Sequence, residues 1–286
     1  FWRAGPVSPG FEFIEVMPDF IDTACSYINK QANKEKPFFL YLPLPAPHTP
    51  WLPKEAYKGT SGAGTYGDFV VMVDDMVGKV LKTIEGLNRA ENTLIIMTSD
   101  NGADWRPEDI EKHGHRANYI FKGRKADIYE AGHRVPFIAR WDGVIAEGSQ
   151  SDETMCTTDL MATLAGMLNV PVPRGAAEDS YNLWPAFTGE TYKEPIRDAT
   201  IHHSLNGYFA IRKGAWKYTP QLGSGGFTQP AHIEPEPGQA PGTLYNLQED
   251  PGEHNNLYKE KPDIVKELST MLEKIKQQGY SRPGYK

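Results

Sequence analysis

The stretch that decides the fold is Thr93-Leu94-Ile95-Ile96-Met97-Thr98-Ser99-Asp100-Asn101-Gly102, a mainly apolar run that ends in small and polar residues. A short apolar run followed by turn residues is typical of a strand buried on both faces of a sheet. The preceding residues 66–87 repeat apolar side chains at helical spacing, and a second apolar run, Phe38-Phe39-Leu40-Tyr41-Leu42, precedes that helix. Strand, long helix and strand in this order predict a βαβ unit in an α/β protein with a mainly parallel sheet flanked by helices.

Polar side chains follow both predicted strands, at the edge where α/β sheets bind ligands. Asp100 and Asn101 follow the second strand, and His48 lies in the proline-rich loop after the first. Carboxylate and amide oxygens suit Ca²⁺ or Mg²⁺, whereas Zn²⁺ prefers His and Cys. Two alternatives stay open, because Asp-Asn-Gly is a common turn tripeptide and a loop histidine can simply pack or face solvent.

Further candidates are one lysine and two pairs of histidines. Lys125 ends the short basic stretch Lys122-Gly123-Arg124-Lys125 and could hold an anionic substrate as a point charge, or it could be an ordinary solvated lysine. The histidine pairs at 113/115 and 202/203 have no Cys or carboxylate that completes a zinc set. We interpret them as pocket or surface histidines and assign His115 and His203 to substrate binding.

The rest of the chain changes character near residue 196. A strand-like run at 135–141 and a helical pattern at 158–168 continue the α/β part; the region beyond carries short strands at 199–203, 208–212, 215–218 and 244–247 and a helix at 261–278. Lys213-Gly214 suits a tight turn between two of these strands. The pattern predicts that residues 1–195 belong to the α/β domain and that residues 196–286 form a small antiparallel sheet with one helix.

Composition narrows the classes of protein. The chain has 286 residues with a net charge of −7 and no evident basic face, which argues against binding nucleic acid. No apolar run is long enough to span a bilayer. The chain opens Phe1-Trp2-Arg3 without Met or a signal peptide, which predicts the middle of a longer protein. Its two cysteines, Cys25 and Cys156, are either buried thiols or one disulfide.

Taken in order, these fragments resemble the sulfatase family of the alkaline-phosphatase superfamily. The matching stretches span nearly the whole chain: Pro47-His48-Thr49-Pro50 for the family's His-x-Pro loop, 98–102 for its second metal-ligand pair, 123–125 and 130–137 for its Gly-x-Lys and Glu-Gly-Gly-x-Arg-Val-Pro-Phe segments, 157–170 for its Thr-Asp-Leu helix, and 244–257 for its C-terminal subdomain. Each motif is short, and their shared order makes the resemblance specific.

The resemblance implies roles for the matching residues. Asp100 and Asn101 would ligate Ca²⁺, with Mg²⁺ as the second choice, Lys125 would contact the sulfate, and His48 would contact the sulfate or the ester oxygen. The substrate would be a sulfated small molecule or glycan, without a nucleic-acid or membrane partner. The family implies a periplasmic or secreted location.

The departure from the family concerns the nucleophile, a formylglycine made from Cys in Cys-x-Pro/Ala-x-Arg. Neither Cys25 nor Cys156 lies in such a sequence, and the family's N-terminal Asp-Asp metal pair is also absent. We therefore expect the C-terminal portion of a sulfatase that is inactive alone, with the N-terminal segment that carries the formylglycine as a candidate partner. The alternatives are a phosphodiesterase or phosphonate hydrolase of the same superfamily and a catalytically inactive fragment that binds a glycan or a partner.

Overall fold

The computed structural model describes residues 5–87 and 90–285 and shows two compact units; the opening Phe1-Trp2-Arg3 lies outside the described residues. The first unit holds the described residues up to Leu94 together with Glu108–His115, and the second holds Ile95–Pro107 and the described residues from Arg116 onward. The boundary at 195/196 stays a prediction. Within the described ranges no helix has the length and apolar character needed to cross a membrane.

Two helices organise the first unit: α1 (Val16–Gln31) and α2 (Gly64–Gly86). Met17 of α1 and Phe69 and Met72 of α2 are buried together, because each helix repeats its apolar residues on one face. Partly buried side chains from the connecting segment pack on this cluster, among them Leu44, Ala46 and Trp51. A short helix, α3 (Pro107–His113), follows later in the chain.

The predicted strand at 38–42 is the clearest correction in this unit. The segment is extended but pairs with no strand in the described part of the chain. Its side chains alternate between half-buried and exposed, and Phe39 and Tyr41 are 75% and 76% exposed. An apolar run indicates the tendency to form a buried strand but does not supply the neighbouring strand that completes the ladder.

The second unit begins with a pair of strands. β1 (Ile95–Thr98) follows the predicted run and pairs with β2 (Phe137–Arg140), with Ile95 opposite Arg140 and Thr98 opposite Phe137. The pairing is antiparallel, and no parallel ladder occurs among the described residues, so the expected parallel pairing is not seen here. An apolar run predicts that a strand is buried, but it gives no information on the direction of the neighbouring strand. The short helix α4 (Glu130–His133) lies between the two strands in sequence.

Two further helices, α5 (Leu160–Met167) and α6 (Trp184–Thr188), follow β2. The Asp159 carboxylate, at the start of α5, is fully buried and accepts hydrogen bonds from the backbone N–H groups of Cys156 and Tyr181 at 2.8 and 2.9 Å. It also forms an ion pair with the buried Arg197 guanidinium. This pair holds the segment before the C-terminal sheet against the start of α5.

The C-terminal sheet contains β3 (Thr200–His203), β4 (Phe209–Lys213), β5 (Trp216–Thr219) and β6 (Thr243–Asn246) in that order. All three pairings are antiparallel, and α7 (Pro262–Gln278) packs against the sheet. The shared core includes Ile211, Leu244, Leu268 and Leu272. The prediction of an α/β protein with an antiparallel C-terminal subdomain and one helix is thus confirmed.

Candidate active site

The turn after β1 presents the predicted metal ligands. Asp100 is exposed, and its carboxylate forms no hydrogen bond or ion pair with the described residues. The Asn101 side-chain amide donates to the Gly102 carbonyl at 3.0 Å, which leaves its oxygen as an acceptor. The Ser99 hydroxyl donates to the Asn101 carbonyl at 3.1 Å and closes the turn. Two hard oxygen donors therefore follow β1 without a competing protein cation.

The backbone of helix α4 makes close contact with the turn that carries Asp100 and Asn101. The Gly102 N–H donates to the Gly132 carbonyl at 3.1 Å, and a Cβ at Gly102 would lie only 1.6 Å from the Ala131 carbonyl oxygen. On its other side a Cβ at Gly132 would lie 2.2 Å from the Asp127 carbonyl oxygen. Only glycine permits such close approach of two backbones. Helix α4 therefore fixes the distance between the Asp100 turn and the loop that carries Lys125.

The loop of Lys125 is anchored by buried contacts on both sides of the lysine. The Lys125 N–H donates to the Ala103 carbonyl at 3.2 Å, so the lysine backbone lies next to the segment that follows Asp100. Asp127 is fully buried and accepts the backbone N–H groups of Arg124 and Thr228, both at 2.9 Å. The Lys125 ammonium itself forms no ion pair within the described ranges and remains available to an anion.

Ala126, directly after Lys125, has a φ of +77°, in the left-handed region that a residue with a side chain rarely adopts. Such strain costs on the order of 1–3 kcal/mol and persists where surrounding contacts impose it. Here the Asp127 carboxylate and the Lys125–Ala103 hydrogen bond impose it. The strained position supports a functional role for this loop.

Beneath α4 lies a buried network of charges that the sequence did not reveal. The Lys217 ammonium is 1% exposed and lies 3.1 Å from Glu130 Oε1 and 2.9 Å from Glu253 Oε1. Glu253 Oε2 also accepts the Glu130 backbone N–H at 2.7 Å. The other Glu130 oxygen accepts Arg134 Nε at 3.0 Å. Burial alone would raise the pKa of Glu130, but Lys217 and then Arg134 lower it to about 2.

Two half-buried imidazoles complete the support of the lysine loop. His133 and His202 have ring centroids 4.1 Å apart, and both Nε2 atoms are buried without a hydrogen-bond partner in the described part of the chain. Burial, followed by the nearby Lys217 charge, lowers the pKa of His133 to about 4 and that of His202 well below its usual value. Both rings are therefore neutral at pH 7 and fill space behind the loop without adding charge.

His48 belongs to the first unit and is exposed in its proline-rich loop. Its Nδ1 lies 2.9 Å from the Thr49 carbonyl oxygen, and since a carbonyl only accepts, Nδ1 carries the hydrogen. Trp51 Nε1 donates to the Pro47 carbonyl at 3.1 Å and holds the loop in place. The imidazole thus turns Nε2 away from the backbone, as a group that donates or accepts a proton would require.

The remaining predicted residues are distributed between the two units. His115 is exposed after α3 in the first unit, and His203 is exposed at the end of β3 in the second. His203 Nδ1 lies 3.0 Å from the Ser204 carbonyl oxygen. Within the second unit the structure therefore links Asp100, Asn101 and Lys125 through Ala103 and α4. The convergence of His48 and His115 on this group stays a prediction.

The donor set fits part of a Ca²⁺ site. Asp100 and Asn101 offer oxygen ligands, whereas Ca²⁺ takes 6–8 of them. Among the described residues no group of three or more His, Cys, Asp or Glu side chains is arranged to hold a metal ion. The chain thus contributes a pair of oxygen ligands of the right chemistry and not the whole coordination shell.

Sequence reasoning missed Lys217, Glu253 and Asp127. The position of Lys217 between two aromatic residues was the one available signal in the sequence, and the structure shows that its side chain is 1% exposed. A lysine is almost never fully buried without an ion-pair partner. The two glutamates that pair with it are distant in sequence, and no local pattern identifies them.

The comparisons with known proteins agree with the motifs. A sequence model of the Sulfatase family matches residues 15–170. N-acetylgalactosamine-6-O-sulfatase of Bacteroides thetaiotaomicron is 34% identical over 280 residues, which cover 96% of this chain and 54% of that protein. Human arylsulfatase A is 32% identical, over 79% of this chain and 45% of its own length. The chain therefore spans about half the length of these relatives.

Solved structures give the same assignment. A Bacteroides thetaiotaomicron protein, solved in a study of the metabolism of multiple glycosaminoglycans, superposes with a TM-score of 0.80 at 32% identity, over 93% of this chain and 55% of that one. A sulfatase from Pseudoalteromonas sp. shares the fold, with a TM-score of 0.76 at 24% identity over 94% of this chain and 54% of its own. From the family match over more than half of its length and from these relatives, we conclude that the chain belongs to the sulfatase family.

Proposed function

We propose that the protein containing this chain hydrolyses sulfate monoesters, and that this chain supplies the metal-binding turn, the sulfate-binding lysine and the proton donor. The observation that supports the proposal is the backbone hydrogen bond from Lys125 to Ala103, which brings the backbone of this lysine next to the segment that follows Asp100 and Asn101. A cation-binding turn next to a free lysine suits a tetrahedral dianion or monoanion better than a neutral ligand.

Each side chain has a separate task in this reaction. Asp100 and Asn101 would hold Ca²⁺, with Mg²⁺ as the second choice, and the cation would neutralise the sulfuryl oxygens. Lys125 would bind one of these oxygens as a point charge and orient the sulfur for attack. His48, when it carries a proton on both ring nitrogens, would give the Nε2 proton to the leaving oxygen, because an alkoxide is a poor leaving group. His115 and His203 would contact the organic part of the substrate.

The nucleophile would come from outside this chain. A formylglycine hydrate supplies the attacking oxygen in this family, and neither cysteine lies in a convertible sequence. Cys25 lies within α1, near the Thr83 hydroxyl at 3.3 Å, and Cys156 precedes α5; both are free thiols. The N-terminal segment that carries the formylglycine and the remaining metal ligands is the proposed partner. A sulfated glycan is the proposed substrate, and N-acetylgalactosamine 6-sulfate is the first to test.

The location proposed for the protein is periplasmic or secreted, as in the family. Fractionation of the native cells tests it, and recovery of the full-length gene product only in the cytosol would contradict it.

The experiment compares this chain with the full-length gene product, both purified with Ca²⁺. We expect the full-length protein to hydrolyse 4-nitrophenyl sulfate and this chain alone to show no turnover above background. Lys125→Ala and Asp100→Ala in the full-length protein should each lower kcat/KM by about 100-fold or more, since each removes charge stabilisation from the transition state. Lys112→Ala, which removes an exposed lysine of α3, is the matched control.

Two outcomes would contradict the proposal. Turnover of bis(4-nitrophenyl) phosphate that exceeds turnover of the sulfate ester would favour the phosphodiesterase alternative. Turnover by this chain alone that is lost in His48→Ala would show that a residue of this chain replaces the formylglycine.

A further inference from the structure

Two loops of the C-terminal region are fixed to the residues that flank Lys125. The first is the turn between β3 and β4. The Ser204 N–H donates to the Tyr208 carbonyl at 2.9 Å, and the Tyr208 N–H donates to Ser204 Oγ at 3.1 Å, so this turn is closed on itself. The Leu205 N–H then donates to the Ala126 carbonyl at 2.9 Å. This bond ties the turn to the residue next to the proposed sulfate-binding lysine.

The second loop runs from Ser224 to Ala231. Ser224 is fully buried, and its carbonyl accepts the Ile128 N–H at 2.8 Å. A Cβ at Gly226 would lie 2.3 Å from the Ala126 carbonyl oxygen, so the two backbones are in direct contact. The Gly225 N–H donates to the Ala231 carbonyl at 2.8 Å and leads the chain to His232. Both loops are therefore held at fixed positions relative to Lys125.

These loops present a chain of three hydrogen-bonded side chains to solvent. The Tyr208 hydroxyl bonds His232 Nδ1, and His232 Nε2 lies 2.7 Å from Glu234 Oε1. The His232 and Glu234 side chains are 59% and 85% exposed, and Leu205, in the same turn as Tyr208, is 64% exposed. Burial and then Glu234 raise the pKa of Tyr208, so the phenol keeps its proton at neutral pH.

The three side chains form a row of hydrogen-bonding groups on the surface. Ordering long polar side chains costs rotamer entropy, which hydrogen bonds exposed to water repay only weakly. The row offers acceptors on the carboxylate and on the phenol oxygen, and Leu205 lies in the same turn as Tyr208. That combination matches a sugar ring, which carries hydroxyl groups on its edge and apolar C–H groups on its faces.

We propose that Tyr208, His232 and Glu234, together with Leu205, form the recognition site for the hydroxyl groups of the sugar that bears the sulfate ester. This inference rests on the proposed sulfatase function and assigns its substrate specificity to the C-terminal loops. An aryl sulfate has no hydroxyl groups for these side chains to bind, so it reports the reaction without the recognition site.

The test measures kcat/KM of the full-length gene product on two substrates, N-acetylgalactosamine 6-sulfate and 4-nitrophenyl sulfate. For Tyr208→Phe, His232→Ala and Glu234→Gln we expect the ratio of the sugar value to the aryl value to fall about 10-fold, the loss of one or two hydrogen bonds. Glu236→Gln, which changes another exposed carboxylate of the same segment, should leave the ratio unchanged.

The outcomes separate the two proposals. An unchanged ratio in all three variants, with normal turnover of both substrates, overturns the recognition site and leaves the sulfatase function standing. Equal losses on both substrates overturn it as well, because they indicate a structural role. If the wild-type protein hydrolyses neither substrate, the sulfatase function fails and the recognition site fails with it.

Discussion

Two segments that begin with a run of apolar residues have opposite environments in this protein. β4 in the C-terminal sheet is paired on both sides, and its Ala210 and Ile211 are completely buried. The segment at 38–42 is extended and apolar but unpaired in the described part of the chain, with Phe39 and Tyr41 three-quarters exposed.

This difference shows that the apolar character of a segment does not by itself determine whether the segment is buried. β4 has a paired strand on each side, α7 packs on the same sheet, and Lys217 of the adjacent β5 forms ion pairs with Glu253 and with Glu130 of α4. The 38–42 segment has no paired strand among the described residues. We therefore expect substitutions in the C-terminal sheet to lower the free energy of unfolding substantially. Substitutions in the 38–42 segment should lower it little.

The largest effect is expected at Lys217. Lys217→Ala leaves Glu130 and Glu253 as buried carboxylates without their shared cation, and breaking a buried pair in this way costs about 4 kcal/mol. Chemical denaturation of the purified chain measures the loss. Lys213→Ala, on the neighbouring strand, removes a lysine that pairs with the exposed Glu267 and should cost less than about 1 kcal/mol. Similar losses in both variants would show that the buried network adds no stability.

The core beneath the sheet gives the next effect. Leu268 of α7 is 1% exposed and lies in the shared core, so Leu268→Ala leaves a cavity and should lower the free energy of unfolding by about 3 kcal/mol. Leu168→Ala, at a leucine that is 65% exposed, is the matched control and should have an effect near zero. A small loss at Leu268 would mean that α7 is only loosely attached, which differential scanning calorimetry would also reveal.

The same contrast explains how much could be read from the sequence. The spacing of apolar residues predicted α2 and α7 to within about two residues, since one buried face is enough to mark a helix. The Lys213-Gly214 turn predicted the pairing of β4 with β5, because a short turn joins strands that are adjacent and antiparallel. These features depend on neighbours in sequence.

Other features depend on partners far away and were not predictable. β1 pairs with β2 about forty residues later, and an apolar run carries no information on that partner or its direction. Lys217 reaches Glu130 across 87 positions. In the candidate site, the Asp100 turn and Lys125 were predicted from their motifs, whereas the role of α4 in spacing them rests on backbone contacts at Gly102 and Gly132 that only the fold reveals.

Acid should weaken the well-packed region specifically through its neutral histidines. The folded pKa of His133 is about 4, lowered by burial and then by Lys217, whereas an unfolded histidine titrates near 6.5. Between these values the unfolded state binds the proton and the folded state does not, so stability is full above pH 6.5 and falls as pH drops toward 4. From pH 7 to pH 5 the His133 contribution should fall by about 2 kcal/mol.

Denaturation of wild type and His133→Gln at both pH values measures this contribution. The variant should start less stable at pH 7 but lose less stability on acidification. His254→Gln changes an exposed histidine, and this variant should lose as much stability between pH 7 and pH 5 as the wild type. An identical acid loss in His133→Gln and wild type would show that His133 is not the group that titrates.

The smallest effect on stability is expected in the 38–42 segment. Because Phe39 and Tyr41 are 75% and 76% exposed, Phe39→Ser and Tyr41→Ser should change the free energy of unfolding by about 0.5 kcal/mol or less. Leu40→Ser, on the half-buried side of the same segment, should cost more. An exposed apolar edge without a paired strand also favours association between chains, so the two outward variants should lower self-association in sedimentation velocity at high concentration. A loss in Phe39→Ser as large as that in Leu268→Ala would mean that this face is covered in solution, and the contrast between the two apolar segments would not hold.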